Sequence, residues 1–266
     1  MFKTVLIPLA LAAVPGFSLA QSYDELATVE VLTGWRTDAG THVAALEITL
    51  APGWVTYWRA PGDTGIPPQF RFSSVDNIQS VTPHWPTPLV FGEDGMRSIG
   101  YYDSVVFPLT VDLGDETGPV SVSGELMIGV CEEICIPVTL HFDALLPEVG
   151  APDSAINAAL SAQPRNRAQG GVGTVTCAID PINDGLRLTA VIDVAPTAAS
   201  EHVVIESGNP SVWVSEAETT RIGDRLTAVV EMVHPSGGFF AVDRSDVRIT
   251  LFGGNRAIDI RGCSAG

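Results

Sequence analysis

Apolar and polar residues alternate with a period near two along most of this chain. Residues 28–32, 42–50, 105–113, 120–130 and 138–145 alternate, or run apolar with β-branched residues, and each is expected to be a strand. Turn-forming clusters separate them, notably Ala60-Pro61-Gly62-Asp63 and Thr64-Gly65-Ile66-Pro67-Pro68. A second set follows at residues 173–179, 187–194, 202–206, 212–216, 225–233, 247–252 and 257–261. Short strands at this spacing predict an all-β fold of two antiparallel sandwiches. Between the sets, Pro152-Asp153-Ser154 opens a helix over 155–162, with Asp153 or Ser154 as its N-cap, and residues 165–173 read as linker. The expected organisation is a leader at 1–20, a first sandwich at 21–150, a short helical linker at 151–172 and a second sandwich at 173–266. The halves show no repeat.

Composition narrows what such a molecule does. Of 266 residues, 45% are hydrophobic, enough to fill a core and exclude wholesale disorder. A formal charge of −17 disfavours nucleic acid and anionic membranes as partners. The single lysine, Lys3, begins a secretory signal: residues 5–14 form its apolar stretch and Ser18-Leu19-Ala20 its cleavage site. That stretch is too short to span a bilayer. Cleavage after Ala20 leaves a chain expected to be soluble in an oxidising compartment. The acidity is uneven, with −14 over residues 21–150 and −4 over 151–266. It reads either as a solubilising surface or as steering toward a basic partner face.

The four cysteines are Cys131, Cys135, Cys177 and Cys263, and sequence alone permits three pairings. Loop closure separates two of the bridges. A bond closing about five residues, Cys131 to Cys135, contributes roughly 2 kcal/mol on the chain-entropy argument. One closing about 87 residues, Cys177 to Cys263, contributes roughly 4.6 kcal/mol. Cys177–Cys263 is therefore the expected structural staple. The short pair, in Cys131-Glu132-Glu133-Ile134-Cys135, fits a structural bridge, a soft-metal site or a redox pair. Zinc would want further ligands, and only His141 lies near in sequence. Cu(I) would accept both thiolates with Met96 or Met127, although Met127 fits core packing. Glu132 and Glu133 disfavour thiolate, unlike the electropositive settings of self-activated cysteines. Such a pair suits a relay attacked by its partner, unless an arginine such as Arg97 screens the carboxylates.

Three stretches carry a resemblance: Gly53-Trp54-Val55-Thr56-Tyr57-Trp58-Arg59-Ala60-Pro61-Gly62-Asp63-Thr64-Gly65-Ile66-Pro67-Pro68; Ile99-Gly100-Tyr101-Tyr102-Asp103, leading into Val106-Phe107-Pro108-Leu109; and Val130-Cys131-Glu132-Glu133-Ile134-Cys135-Ile136-Pro137. Over residues 28–148 the chain resembles the amino-terminal periplasmic domain of the DsbD thiol:disulfide interchange family, closest to its ScsB (suppressor of copper sensitivity) relatives. The resemblance implies an immunoglobulin-like sandwich bearing a redox-active pair, here Cys131 and Cys135. It implies a thioredoxin-like domain or membrane electron-transfer protein as donor, periplasmic thiol proteins as acceptors, and no cofactor. It also implies a cap loop, which by position falls at Phe91-Gly92-Glu93-Asp94-Gly95-Met96-Arg97, with Phe91 or Met96 shielding the sulfurs and ordinary core packing the alternative for Phe91. The founding family has more residues between its cysteines. Full-length relatives continue into membrane helices and a thioredoxin-like domain, so this chain is expected to be a free-standing shuttle or one part of a split system. Family analogy favours Cys135 as the attacked sulfur.

Two rival functions use the same residues: a periplasmic copper-handling protein binding Cu(I), against which the chain's four methionines weigh, and an assembly sandwich with two inert disulfides. Trp54, Tyr57 and Trp58, and separately Trp85, read as core and loop support or as a docking surface. The five histidines are scattered, and neither a Ser-His-Asp arrangement, a P-loop nor an HExxH motif is found.

Overall fold

The computed structural model describes residues 26–73, 77–92, 96–114, 120–237 and 240–266. The expected leader at 1–20 and the Glu93, Asp94 and Gly95 part of the expected cap loop lie outside the described residues. Ten strands come first: β1 Ala27–Arg36, β2 Thr41–Leu50, β3 Val55–Gly62, β4 Gln69–Phe72, β5 Ile78–Pro83, β6 Leu89–Phe91, β7 Ser98–Tyr102, β8 Ser104–Leu113, β9 Val120–Cys131 and β10 Cys135–Leu146. Helix α1, Ser154–Ser161, follows, and then β11 Arg165–Asn166, β12 Val175–Pro181, β13 Leu186–Asp193, β14 Glu201–Glu206, β15 Trp213–Val214, β16 Glu218–Ile222, β17 Arg225–Val233, β18 Arg248–Gly253, β19 Arg256–Arg261 and β20 Ser264–Ala265.

The fold is all-β, as the alternation requires. One sheet runs β1-β2-β8-β5, and a facing sheet runs β10-β9-β3-β7-β6 with β4 also on β9. Inward residues of both, among them Leu46, Ile48, Phe107, Leu109, Leu126, Ile128 and Trp58, make the first core. The second sandwich pairs β11-β19-β18-β14 with β15-β17-β13-β12-β20, β16 also lying on β17. All pairings are antiparallel except two short edges, β11 on β19 and β12 on β20. Helix α1 begins one residue earlier than the sequence reading and is capped by Asp153, whose Oδ1 accepts from the Ala155 and Ile156 amides at 2.7 and 3.0 Å.

The sandwiches are joined by more than a linker. Sheet β11-β19-β18-β14 is covered on both faces. Val203, Ile205, Ile249, Leu251, Ile258 and Ile260 point into the second core, while Phe252 and Ala257 belong to the first. That is why β18 is buried at five consecutive positions. Against this second face lies the end of β3. The Trp58 ring meets Phe252 edge-on at 5.3 Å. Arg59 stacks on Trp58, with its guanidinium carbon 3.6 Å from the ring centroid. The same guanidinium reaches Glu206 at 3.0 Å, the Thr250 hydroxyl at 3.1 Å and Asp259 at 3.7 Å.

Candidate functional site

The β9–β10 hairpin ends at its two cysteines. Cys131 and Cys135 are register partners, their Cα atoms 4.2 Å apart, and they are bonded to each other. Glu132, Glu133 and Ile134 form the exposed turn. Inward positions of β9 are Leu126, Ile128 and Val130, so Cys131 stands on the outward face of the sheet, with Gly129 and Met127. Met127, expected to suit the core, is thus displaced by strand parity to the other face, where it is partly exposed.

Cys131 is nevertheless only 4% exposed, because a separate small cluster covers it. Val55 and Tyr57 of β3 form that cluster with Cys131, and Phe91 packs against it. β3 is placed by pairing Val55 with Cys131 and Thr56 with Val130, and the buried Thr56 hydroxyl donates to Gly129 C=O at 2.9 Å. On the other side β3 meets β7 so closely that a Cβ on Gly100 would fall 2.0 Å from the Thr56 carbonyl oxygen. The Phe91 ring also tilts against Tyr102 at 4.9 Å. Met96, the other expected shield, is 60% exposed.

Cys135, by contrast, is exposed. The Tyr57 hydroxyl lies 3.4 Å from its Sγ. Burial raises the phenol's pKa above its ordinary value, against the hydrogen bond to Thr64, so the hydroxyl stays protonated. A disulfide sulfur has no hydrogen, so Tyr57 is the donor. The Thr64 carbonyl sits 3.9 Å from the same sulfur, where a reduced thiol would donate to it. Segment 61–67 owes its course to Gly65: a Cβ there would approach the Tyr57 ring to 2.4 Å. Tyr57 was expected to serve as core and loop support or as a docking surface, and its polar contact with the sulfur was not expected.

Arg97 does not screen the turn carboxylates. Its guanidinium donates to Glu216 of the second sandwich at 2.8 Å and lies 3.2 Å from the His202 ring. Its backbone is tied to Asp63, the Asp63 amide donating to Arg97 C=O at 3.0 Å. Burial and Arg97 lower the pKa of His202. Trp58 is fully buried, Trp54 and Trp85 pack against the first core, and Cys177–Cys263 is a second disulfide, its Cα atoms 5.7 Å apart. Among the described residues no group of three or more His, Cys, Asp or Glu side chains is arranged to hold a metal ion, and no helix is long and apolar enough to cross a membrane.

The arrangement is a β-sandwich that holds one sulfur of a disulfide under cover and leaves the other exposed at a hairpin tip. Residues 25–147 match the sequence model of the family described as thiol:disulfide interchange protein DsbD, N-terminal. The resemblance read from the sequence is thereby borne out over the first sandwich. Among solved structures, 21 chains match. One is the N-terminal periplasmic domain of ScsB from Proteus mirabilis, 22% identical, with a TM-score of 0.64 over 90% of this chain and 92% of that one. The shared fold therefore extends through both sandwiches. No curated protein sequence matches the chain.

Proposed function

We propose that this chain is a periplasmic thiol–disulfide interchange module that relays reducing equivalents through Cys131 and Cys135. In this reading residues 1–20 are removed on export, 21–150 form the redox domain, 151–172 the joint and 173–266 the second domain. The observation that carries it is the inequality of the two sulfurs. Cys135 is exposed with Tyr57 Oη at 3.4 Å, while Cys131 is buried beneath Val55, Tyr57 and Phe91. A partner thiolate attacks Cys135 Sγ. The Cys131–Cys135 bond breaks, and Cys131 leaves as thiolate and takes up a proton. The partner's second thiolate attacks its own sulfur in the mixed disulfide and releases Cys135, which is protonated in turn. Two electrons and two protons have then passed from the partner dithiol, now a disulfide, to this chain. Reversal of these steps reduces a downstream disulfide. Phe91 covers Cys131 as the cap residue, and Glu132 and Glu133 keep the reduced pair in its thiol form until a partner engages. The donor is a thioredoxin-like domain or membrane electron-transfer protein, and the acceptors are periplasmic thiol proteins.

The test is the reduction potential of Cys131–Cys135 in a Cys177→Ser, Cys263→Ser background. A value above about −300 mV, with exchange toward a thioredoxin-like dithiol, is expected. A value below about −300 mV, the range of inert structural bridges, overturns the relay. Tight Cu(I) binding by the reduced pair without exchange would move the assignment to copper handling.

A further inference from the structure

The second sandwich ends one of its sheets in an open edge. Among the described strands, β14 pairs with β18 on one side and with none on the other. His202, Val203, Val204, Ile205 and Glu206 all line a cleft of about 860 Å³ between the two sandwiches. Side chains of a strand alternate between its faces, so a run of five consecutive residues along one cleft fits a wall formed by the strand's open edge. Such an edge turns the backbone N–H and C=O of every second residue into the cleft, the arrangement that captures an extended chain as an added strand.

A second observation points to the same ligand. Arg59 also lines the cleft, with its side chain only 10% exposed. Glu206 and Thr250 engage its Nε and Nη2, but its buried Nη1 has no acceptor among the described residues. An extended peptide brings a carbonyl oxygen at every residue, which is the acceptor Nη1 lacks. Trp213, 58% exposed, also lines the cleft and offers a ring to its side chains. Asp63, Glu206 and Glu216 outnumber Arg59 and Arg97 along the walls, which favours a neutral or basic segment. Gly65 lines the cleft, and the carbonyl of the preceding Thr64 is the one 3.9 Å from Cys135 Sγ. The same segment therefore borders the cleft at Gly65 and the disulfide at Thr64.

We propose that this cleft binds an extended, neutral-to-basic polypeptide segment of the thiol-bearing partner. The segment adds as a strand to β14 and leads the partner's cysteine past Thr64 to Cys135. The inference rests on the interchange reading above and names how that partner is recognised.

Two synthetic peptides test it on the full chain: a decapeptide of alternating valine and threonine with one arginine and a terminal cysteine, and Ala-Cys-Ala. In either reaction the peptide thiolate bonds to Cys135 Sγ, the Cys131–Cys135 bond breaks, and Cys131 takes the proton the peptide gave up. The decapeptide is expected to form the mixed disulfide about tenfold faster, through effective concentration. Ser211→Trp, at an exposed position of the cleft wall, should erase that advantage and leave the Ala-Cys-Ala rate unchanged. Equal rates, or an advantage that survives Ser211→Trp, overturns the proposal. A fluorescent decapeptide with serine in place of cysteine separates the two readings. If neither thiol peptide reacts yet this one binds wild type and not Ser211→Trp, the cleft stands and the interchange reading falls. No change in its anisotropy overturns the cleft. A wild-type dimer that Ser211→Trp converts to monomer, measured by sedimentation, also overturns it, since a second copy then occupies the edge.

Discussion

The two disulfides are the same bond in opposite settings. Cys177 is fully buried on β12, and Cys263 follows β19, so their bond ties together parts of the second sandwich separated by 86 residues in sequence. Cys131 and Cys135 are already hairpin partners across a three-residue turn, so their bond adds little that β9 and β10 do not supply. One constrains an unfolded chain strongly, and the other leaves a sulfur exposed at a rigid tip. On the proposed reading, loop size and exposure together, rather than cysteine content, distinguish a brace from a reagent.

Removing each bond should separate these uses. Cys177→Ser with Cys263→Ser is expected to cost about 4–5 kcal/mol in urea unfolding, with unchanged exchange at the hairpin. Arg59→Ala probes whether the interface braces the molecule as strongly as that bond does. It strands Glu206 in a largely buried setting while Asp259 keeps Arg248 at 2.6 Å, and a loss of about 3 kcal/mol is expected, with unfolding dividing into two transitions. Cys131→Ser with Cys135→Ser should cost no more than about 2 kcal/mol while abolishing exchange. Cys131→Ser alone should trap the partner on Cys135, and trapping by Cys135→Ser on Cys131 instead would break the assignment. Tyr57→Phe removes one hydrogen bond of about 1 kcal/mol, roughly a fivefold slowing of exchange measured by stopped flow.

The smallest effect is with pH. Burial lowers the pKa of His42, His84 and His202 below the ordinary 6.5. The unfolded chain then takes up protons that the folded chain resists. Stability is complete above about 6.5 and is lost as pH falls through that value. The melting temperature should decline on acidification with a slope of at most three protons, reduced by His202→Phe.

The strands that alternate were legible because each has one wet face and one dry face. β3 was not. Val55, Thr56, Tyr57 and Trp58 are all buried, since one face meets the main core and the other covers Cys131, and two-sided burial erases the period. β18 hid its interface in the same way, reading as an ordinary apolar strand although Phe252 serves a different core from Leu251. The candidate cysteines and Phe91 were identifiable from spacing and resemblance. The partners of Arg97 were not, because Glu216 lies 119 residues away and only the packed interface brings it near.

The stacking of Arg59 on Trp58, closed by Glu206, Thr250 and Asp259, also has an evolutionary reading. A first sandwich carrying this arginine can be inherited only with a second one that supplies its acceptors. Recombination that exchanged the second sandwich alone would leave a buried cation without its counterions, two residues along β3 from the tyrosine that faces the disulfide. The two halves are thus one heritable unit, and substitutions at positions 59, 206, 250 and 259 should change together or not at all.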